Sequence, residues 1–308
     1  MACFKPLTAY RGRESHASGK SKIVFGKHLS LTGIPLMLPC GRCTGCRLER
    51  SRMWALRCVH EAQSHKENSF ITLTYNDEFI PSDGSLDKRH FQLFMKKLRE
   101  ELSPKRIRFY HCGEYGPKLA RPHYHAILFG HQFTDLKLHS DRKGTRLYRS
   151  ATLARIWGKG FVTVGDVNIN SAGYVARYCM KKITGEQADY HYLTVDPHTG
   201  EILGNLQPEY NTMSRKPGIA RDWYETYSSD VYPSDGIFHK GQTHRPPRYY
   251  DSMFESTNPV EWETVKRARK VRAHAKREDS TPERLAVRET CKNLQLNHLK
   301  RTYENDET

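Results

Sequence analysis

The sequence predicts an α+β protein built on a central antiparallel sheet, with helices on one face and a basic helical C-terminal tail. Short β-branched and aromatic runs alternate with amphipathic helical stripes, in the order strand, helix, strand, strand, helix, strand, helix. A short Gly- and Pro-containing connection joins the two middle strands, which indicates a hairpin. Near the C-terminus, a helix start at Asn258-Pro259 leads into a segment rich in Lys and Arg.

Each element follows from a local pattern. Alternation of apolar side chains predicts the strands, recurrence at three and four residues predicts the helices, and Pro104 ends one of them. The predicted strands are 70–75, 107–114, 123–129 and 161–167. The predicted helices are 47–66, 86–102, 150–157, one from 170 or 171 to about 183, and two in the tail, from 258 and from 281.

These elements divide the chain into four segments. We expect an N-terminal segment with a Cys cluster and an Arg-rich helix, a catalytic domain, a loop- and aromatic-rich accessory region, and the basic tail. Their boundaries are 1–65, 66–185, 186–257 and 258–308.

The composition indicates a partner with many negative charges. Lys and Arg number 50 and Asp and Glu number 34 among 308 residues, so the net charge is +16, and nucleic acid is the usual partner of such a chain. The apolar stretch 34–39 is far shorter than the ~20 residues of a membrane helix. Residues 1–30 contain no apolar run like a signal-peptide core, so we expect a cytosolic protein without membrane association.

The sharpest motif is His123-Tyr124-His125 within a strand. Alternate strand residues share a face, so both imidazoles point into one site, where they can hold a divalent cation. Glu114, near the end of the preceding strand, can fold back beside them as a carboxylate ligand. Such a set suits Mn²⁺ or Mg²⁺ that also holds a phosphate oxygen. The alternative is two polar residues on an exposed strand face and a solvated Glu.

The second motif is a pair of tyrosines on a helix. Tyr174 and Tyr178 are four residues apart and therefore lie on one helical face. A tyrosine hydroxyl can attack phosphorus and form a covalent phosphotyrosine, given a base, a cation or a metal to assist it. Lys181 can supply positive charge beside Tyr178, and Lys182 could serve instead. The alternative is an ordinary amphipathic helix with two half-buried tyrosines.

Three cysteines form a separate cluster. Cys40, Cys43 and Cys46 have C-x₂-C-x₂-C spacing, and Cys58 or His60 on the following helix could complete a structural Zn²⁺ site. The spacing also partly resembles an iron–sulfur run, without its fourth Cys followed by Pro. The alternative is three reduced cysteines in a loop.

The two catalytic motifs together resemble a known family. Pro122-His123-Tyr124-His125 before a hydrophobic run is similar to the motif of HUH endonucleases, and Tyr174-Val175-Ala176-Arg177-Tyr178 is similar to the motif of their two-tyrosine rolling-circle replication initiators. The strand 70–75 lies where the first motif of that family lies. The Cys cluster and the segment 217–224 resemble the initiators of microviruses, particularly the gokushovirus group of single-stranded DNA phages.

This resemblance implies a mechanism and a setting. It implies an HUH/Rep sheet, ferredoxin-like or RRM-like with a βαββαβ core, a Mn or Mg ion on His123, His125 and Glu114, and catalysis by Tyr174 and Tyr178 with help from Lys181. One tyrosine would nick a single-stranded DNA origin and keep the 5′-phosphate, host polymerase and helicase would extend and unwind the DNA, and the second tyrosine would close the circle. The location implied is the host bacterial cytoplasm.

Two further functions remain open at this point. A plasmid initiator, relaxase or transposase would use the same chemistry. A non-catalytic nucleic-acid-binding protein would share the basic charge and exposed aromatics but would leave no covalent DNA adduct.

Overall fold

The computed structural model describes residues 3–17, 19–116, 119–142, 144–177, 182–183, 186–196 and 198–297. It divides into two compact units. We call residues 3–49 with 263–297 the terminal unit and residues 50–262 the central unit, in both cases less the undescribed positions. No helix in the described ranges is long and apolar enough to cross a membrane.

The elements, in chain order, are as follows. The strands are β1 (Leu7–Ser15), β2 (Ser21–Val24), β3 (Leu36–Leu38), β4 (Asn68–Thr74), β5 (Arg108–Tyr115), β6 (Pro122–Phe129), β7 (Leu136–Arg142), β8 (Thr145–Ser150), β9 (Val162–Gly165), β10 (Leu193–Val195), β11 (Ile202–Asn205), β12 (Tyr210–Met213), β13 (Ile237–His239) and β14 (Gln242–His244). The helices are α1 (Thr44–Gln63), α2 (Lys88–Glu101), α3 (Ala151–Trp157), α4 (Ile169–Arg177), α5 (Glu186–His191), α6 (Arg221–Val231), α7 (Arg248–Thr257), α8 (Pro259–His274) and α9 (Pro282–Asn297).

The central unit is built on a seven-stranded sheet in the order β12-β5-β6-β4-β9-β8-β7. Every neighbouring pair in it is antiparallel. The prediction of an α+β fold on a large antiparallel sheet, followed by a helical C-terminal region, is therefore confirmed. The four predicted strands form its middle as β5, β6, β4 and β9, whereas β7, β8 and β12 extend it at both edges and were not predicted.

Helices cover both faces of this sheet. The face carrying Tyr124 and Leu128 packs with the apolar stripe of α2 and with α3, and its core includes Phe94, Leu98 and Trp157. The opposite face carries the alternate residues of the same strands. There α4 and the α1 residues from Arg50 onward make the contacts, for example Trp54 against Tyr110, with 5.0 Å between ring centroids.

Candidate functional site

The two histidines of β6 lie on one sheet face, with Glu114 beside them. In the ladder between β5 and β6, Glu114 is directly opposite His123, and Cys112 is opposite His125. Side chains of directly opposed residues point to the same face, so the hairpin brings the carboxylate next to both imidazoles. Glu114 is 0% exposed, His123 4% and His125 2%.

The distances within this group are those of direct polar contacts. Oε1 of Glu114 lies 2.9 Å from Nε2 of His123 and 2.9 Å from Nε2 of His125. One nitrogen from each ring and one carboxylate oxygen thus converge, all within 4.8 Å of one another. Burial opposes the charged form of Glu114, but attraction to His123 and hydrogen bonds with both rings outweigh it, so the pKa of this carboxyl is lowered.

The other ring nitrogen of each histidine is held by a neighbouring group. Nδ1 of His123 donates to the carbonyl oxygen of Arg121 at 3.1 Å, and Nδ1 of His125 lies 2.9 Å from Oγ1 of Thr72. Metal-binding histidines usually have their second nitrogen hydrogen-bonded in this way, because the bond fixes the ring and directs the free nitrogen to the ion. Thr72 faces His125 across the β4–β6 ladder, a pairing that sequence analysis did not identify.

The donor set fits a hard or borderline divalent cation. Two imidazoles and one carboxylate on neighbouring central strands leave coordination positions for water or a phosphate oxygen. The group could hold a metal, and Mn²⁺ and Mg²⁺ both suit it. The assignment of Glu114, His123 and His125 as ligands stays a prediction.

Of the two predicted tyrosines, Tyr174 is in the described part of the chain. It lies on α4 with its ring edge-on to His125, with 5.2 Å between ring centroids, and edge-on to Phe70 at 6.2 Å. The side chain is 4% exposed and its hydroxyl is buried. Tyr178 and Lys181 lie outside the described residues, so their predicted roles rest on the sequence.

The cysteine cluster also forms, but with a different fourth member. Cys40, Cys43 and Cys46 lie together with Cys3, their sulfurs within 4.8 Å of one another. The expectation that Cys58 or His60 completes the group is therefore wrong. Both belong to the central unit, where Cys58 is fully buried and Nδ1 of His60 lies 2.8 Å from the Tyr250 hydroxyl. Nothing in the local spacing identified Cys3, which is 37 residues before Cys40.

A basic cleft lies at the opposite end of β5 from Glu114. Its volume is about 580 Å³, and Asp222 is the acidic residue among those that line it. Its basic side chains can contact phosphates along a nucleic-acid strand, and such contacts carry no sequence information. They are His65, Arg99, Lys105, Arg106, Arg108, Arg215 and Lys216.

Comparison with known proteins identifies similar chains. Residues 68–183, which contain the Glu–His–His group and Tyr174, match the family model of the replication-associated protein ORF2. The chain is 32% identical over 273 residues to replication-associated protein VP4 of Bdellovibrio phage phiMH2K, covering 85% of this chain and 80% of that protein.

Two further relatives agree with the first. The chain is 32% identical over 279 residues to replication-associated protein ORF2 of Spiroplasma virus 4, covering 83% of this chain and 81% of that protein. It is 31% identical over 225 residues to replication-associated protein ORF4 of Chlamydia phage 1, covering 70% of this chain and 53% of that protein. No solved structure matches the chain significantly.

Proposed function

The chain belongs to the family of replication-associated proteins of small phages, and from this premise we propose that it is a metal-dependent, HUH-type single-strand DNA endonuclease and strand transferase. It would nick and rejoin the single-stranded origin of a small phage genome, and so start and end rolling-circle replication. The observation that carries the proposal is the buried Glu114–His123–His125 group with the ring of Tyr174 edge-on to His125. We assign this chemistry to the segment 66–185, flanked by 1–65, 186–257 and 258–308.

The three side chains have separate tasks in this proposal. A Mn²⁺ or Mg²⁺ ion held by them would supply Lewis-acid polarisation of a phosphate oxygen. Glu114 contributes the negative charge of the site and contacts both histidines. The carbonyl of Arg121 and the hydroxyl of Thr72 hold the two imidazoles in orientations that direct Nε2 of each ring toward the carboxylate.

A tyrosine supplies the nucleophile. Its hydroxyl oxygen forms a bond to phosphorus, the bond from phosphorus to the 3′-oxygen breaks, and the 5′-phosphate stays on the enzyme. The phenolic proton leaves to a base or to solvent, and the departing 3′-oxygen takes one up. The reverse attack by a 3′-hydroxyl restores the DNA strand and frees the tyrosine, so cutting and joining use the same groups.

Two tyrosines would allow two successive transfers. Tyr174 and Tyr178 are four residues apart, which on a helix gives one face and a spacing of one turn. While one tyrosine holds the first 5′-phosphate, the other can attack the regenerated origin. Lys181 would place positive charge beside this pair. Host polymerase and helicase would act on the released 3′-end in the host cytoplasm.

Binding of the substrate has electrostatic support. The net charge of +16 and the basic cleft at the start of β5 favour a polyanion, and such contacts weaken as salt is added. A protein that only binds nucleic acid would share these features. The covalent bond between DNA and tyrosine is what separates the two functions.

The test is an adduct assay on denaturing gels with Mn²⁺ and origin-region single-stranded oligonucleotides. A label at the 3′ end should remain with the protein, and a label at the 5′ end should appear on a shorter free fragment. The variants are Tyr174→Phe, Tyr178→Phe, the double variant and His123→Ala. The matched control is Tyr190→Phe, since this tyrosine is 83% exposed and lies outside the site.

We expect adduct with either single variant and with the control, and none with the double variant or with His123→Ala. Loss of adduct in one single variant only would leave the other tyrosine a structural role. Tight, salt-sensitive binding without adduct on any strand would contradict the nuclease and favour the binding protein.

A further inference from the structure

Four cysteines of the terminal unit converge on one point. The sulfurs of Cys3, Cys40, Cys43 and Cys46 lie within 4.8 Å of one another, and all four are free thiols. The sulfurs of Cys3 and Cys43 are 3.8 Å apart, far beyond the ~2.05 Å of a disulfide. A tetrahedron with Zn–S bonds of about 2.3 Å has S···S edges of about 3.8 Å, so this spacing is that of ligands around one ion.

The small sheet of the terminal unit brings the distant cysteine into the group. β1 and β3 are antiparallel, and Leu7 at the start of β1 pairs with Leu38 at the end of β3. Cys3 precedes β1 and Cys40 follows β3, so both lie at the same end of the sheet. The backbone N–H of Cys40 donates to the sulfur of Cys3 at 3.3 Å, which fixes this contact.

The other two cysteines come from a tight turn and the helix that follows. Gly41 adopts a positive φ of 77°, which allows the chain to turn between Cys40 and Cys43. The N–H of Cys43 then donates to the sulfur of Cys40 at 3.3 Å. Cys46 is three residues further, in the first turn of α1, and therefore lies on the same side of the helix as Cys43.

The surroundings favour sulfur in its anionic form. The N–H of Phe4 donates to the sulfur of Cys43 at 3.3 Å, so three backbone N–H groups in all point at sulfurs of the cluster. The N-terminus of α1 adds the positive end of its helix dipole. Hydrogen bonds of this kind orient ligands around a metal and stabilise their charge.

We propose that Cys3, Cys40, Cys43 and Cys46 bind one structural Zn²⁺ ion. Four thiolates close the coordination sphere and leave no position for substrate, which is the difference between structural and catalytic zinc. Thiol protons pass to solvent when the ion binds, and no electron is transferred. The ion would tie the residues before β1 to the turn after β3 and to the first turn of α1.

This site is separate in chemistry from the Glu–His–His group of the central unit. Soft sulfur ligands select zinc or iron, whereas a carboxylate and two imidazoles suit Mn²⁺ or Mg²⁺. The two metals can therefore be measured independently. Failure of the nuclease proposal would leave the zinc proposal intact, and the converse also holds.

The test measures zinc bound to the full chain, carried with a C-terminal tag so that nothing is attached near Cys3. Zinc is counted per chain by elemental mass spectrometry after dialysis against a weak chelator. Cys3→Ser removes the proposed fourth ligand. The matched control is Cys291→Ser, an exposed free cysteine of α9 outside the cluster, and Cys58→Ser tests the ligand that the sequence suggested. A His123→Ala, His125→Ala double variant removes any zinc held by the other site.

We expect one zinc per chain in the wild type, in both other cysteine variants and in the histidine variant. In Cys3→Ser, zinc affinity should fall by more than the ~10–100-fold that the loss of an outer hydrogen bond costs. Unchanged zinc in Cys3→Ser would overturn the proposal, as would zinc lost from Cys58→Ser but kept in Cys3→Ser.

A second measurement keeps the proposal testable if Cys3→Ser fails to fold. Co²⁺ loaded into the wild-type chain should show thiolate-to-metal charge transfer and the intense visible bands of a tetrahedral site. Octahedral cobalt bands, iron as the metal found in the purified protein, or a Cys3–Cys43 disulfide by mass spectrometry would each overturn it.

Discussion

Replacing Glu114 with Gln tests how the Glu–His–His group holds its ion. The substitution keeps the shape of the side chain and removes its charge. The carboxylate is fully buried and touches Nε2 of both His123 and His125 at 2.9 Å, so no solvent screens the change. The variant keeps two imidazoles and an amide oxygen, which is a weaker set for Mn²⁺ or Mg²⁺.

The size of the effect follows from electrostatics. A unit charge pair 4 Å apart is worth about 4 kcal/mol at an effective dielectric constant of about 20. Part of this is offset, because the amide costs less to desolvate than the carboxylate. A net loss of about 3 kcal/mol corresponds to ~100-fold weaker binding of Mn²⁺.

The assay is calorimetric titration of Mn²⁺ into the metal-free protein, paired with adduct yield as a function of Mn²⁺ concentration. Glu209→Gln is the matched control, because Glu209 is a second buried carboxylate of the central unit, hydrogen-bonded to Tyr192 at 2.5 Å and outside the metal group. Adduct in Glu114→Gln should recover at high Mn²⁺. Wild-type Mn²⁺ affinity in Glu114→Gln would refute the reasoning and place the third ligand elsewhere.

Three further predictions concern the supports of the site and the fold. Thr72→Val removes the hydroxyl beside Nδ1 of His125 and should weaken Mn²⁺ binding by roughly 10–100-fold in calorimetry, with an unchanged melting temperature. Glu61→Gln leaves Arg108 without its buried partner and should cost about 3 kcal/mol in urea unfolding at pH 7. Because hydrogen bonds and the Arg108 charge outweigh burial and lower the pKa of Glu61, its contribution is complete above the usual value of ~4.3, and the deficit should shrink as the pH falls below it. Gly160→Ala would put a Cβ 2.3 Å from a backbone nitrogen at a φ of +143°, and should lower stability by more than ~2 kcal/mol in the same assay; a deficit below ~1 kcal/mol would show that this segment can shift.

The middle of the sheet was predictable because its residues bear two consistent signals. The β5, β6 and β4 strands are apolar on both faces, as buried strands are, and each predicted strand lies within two or three residues of the observed bounds. Alternation along β6 also predicts that His123 and His125 share a face. The register that sets Glu114 opposite His123 needed only a hairpin between the two strands.

The edges of the sheet and the two-sided helix packing could not be predicted in the same way. β7 and β8 have many polar, exposed residues, so their sequences look like loop. β12 lies in a segment predicted as loop-rich, and its pairing with β5 joins residues about a hundred positions apart. Cys3 was missed for the same reason, since the contact that gives it a role is made by pairing between β1 and β3.

The ligands of the candidate metal centre are fixed by the backbone ladder and not by loops. Glu114 and His123 are opposed residues of one antiparallel pair, and Thr72 and His125 are opposed residues of the next. A slip of one residue in either pair would turn its side chain to the α2 face and separate the group. The position of the ion is therefore tied to the hydrogen bonds that hold β5, β6 and β4 together, which are among the most buried in the central unit. Such a site can keep its geometry while DNA is exchanged beside it, because binding substrate need not move the strands.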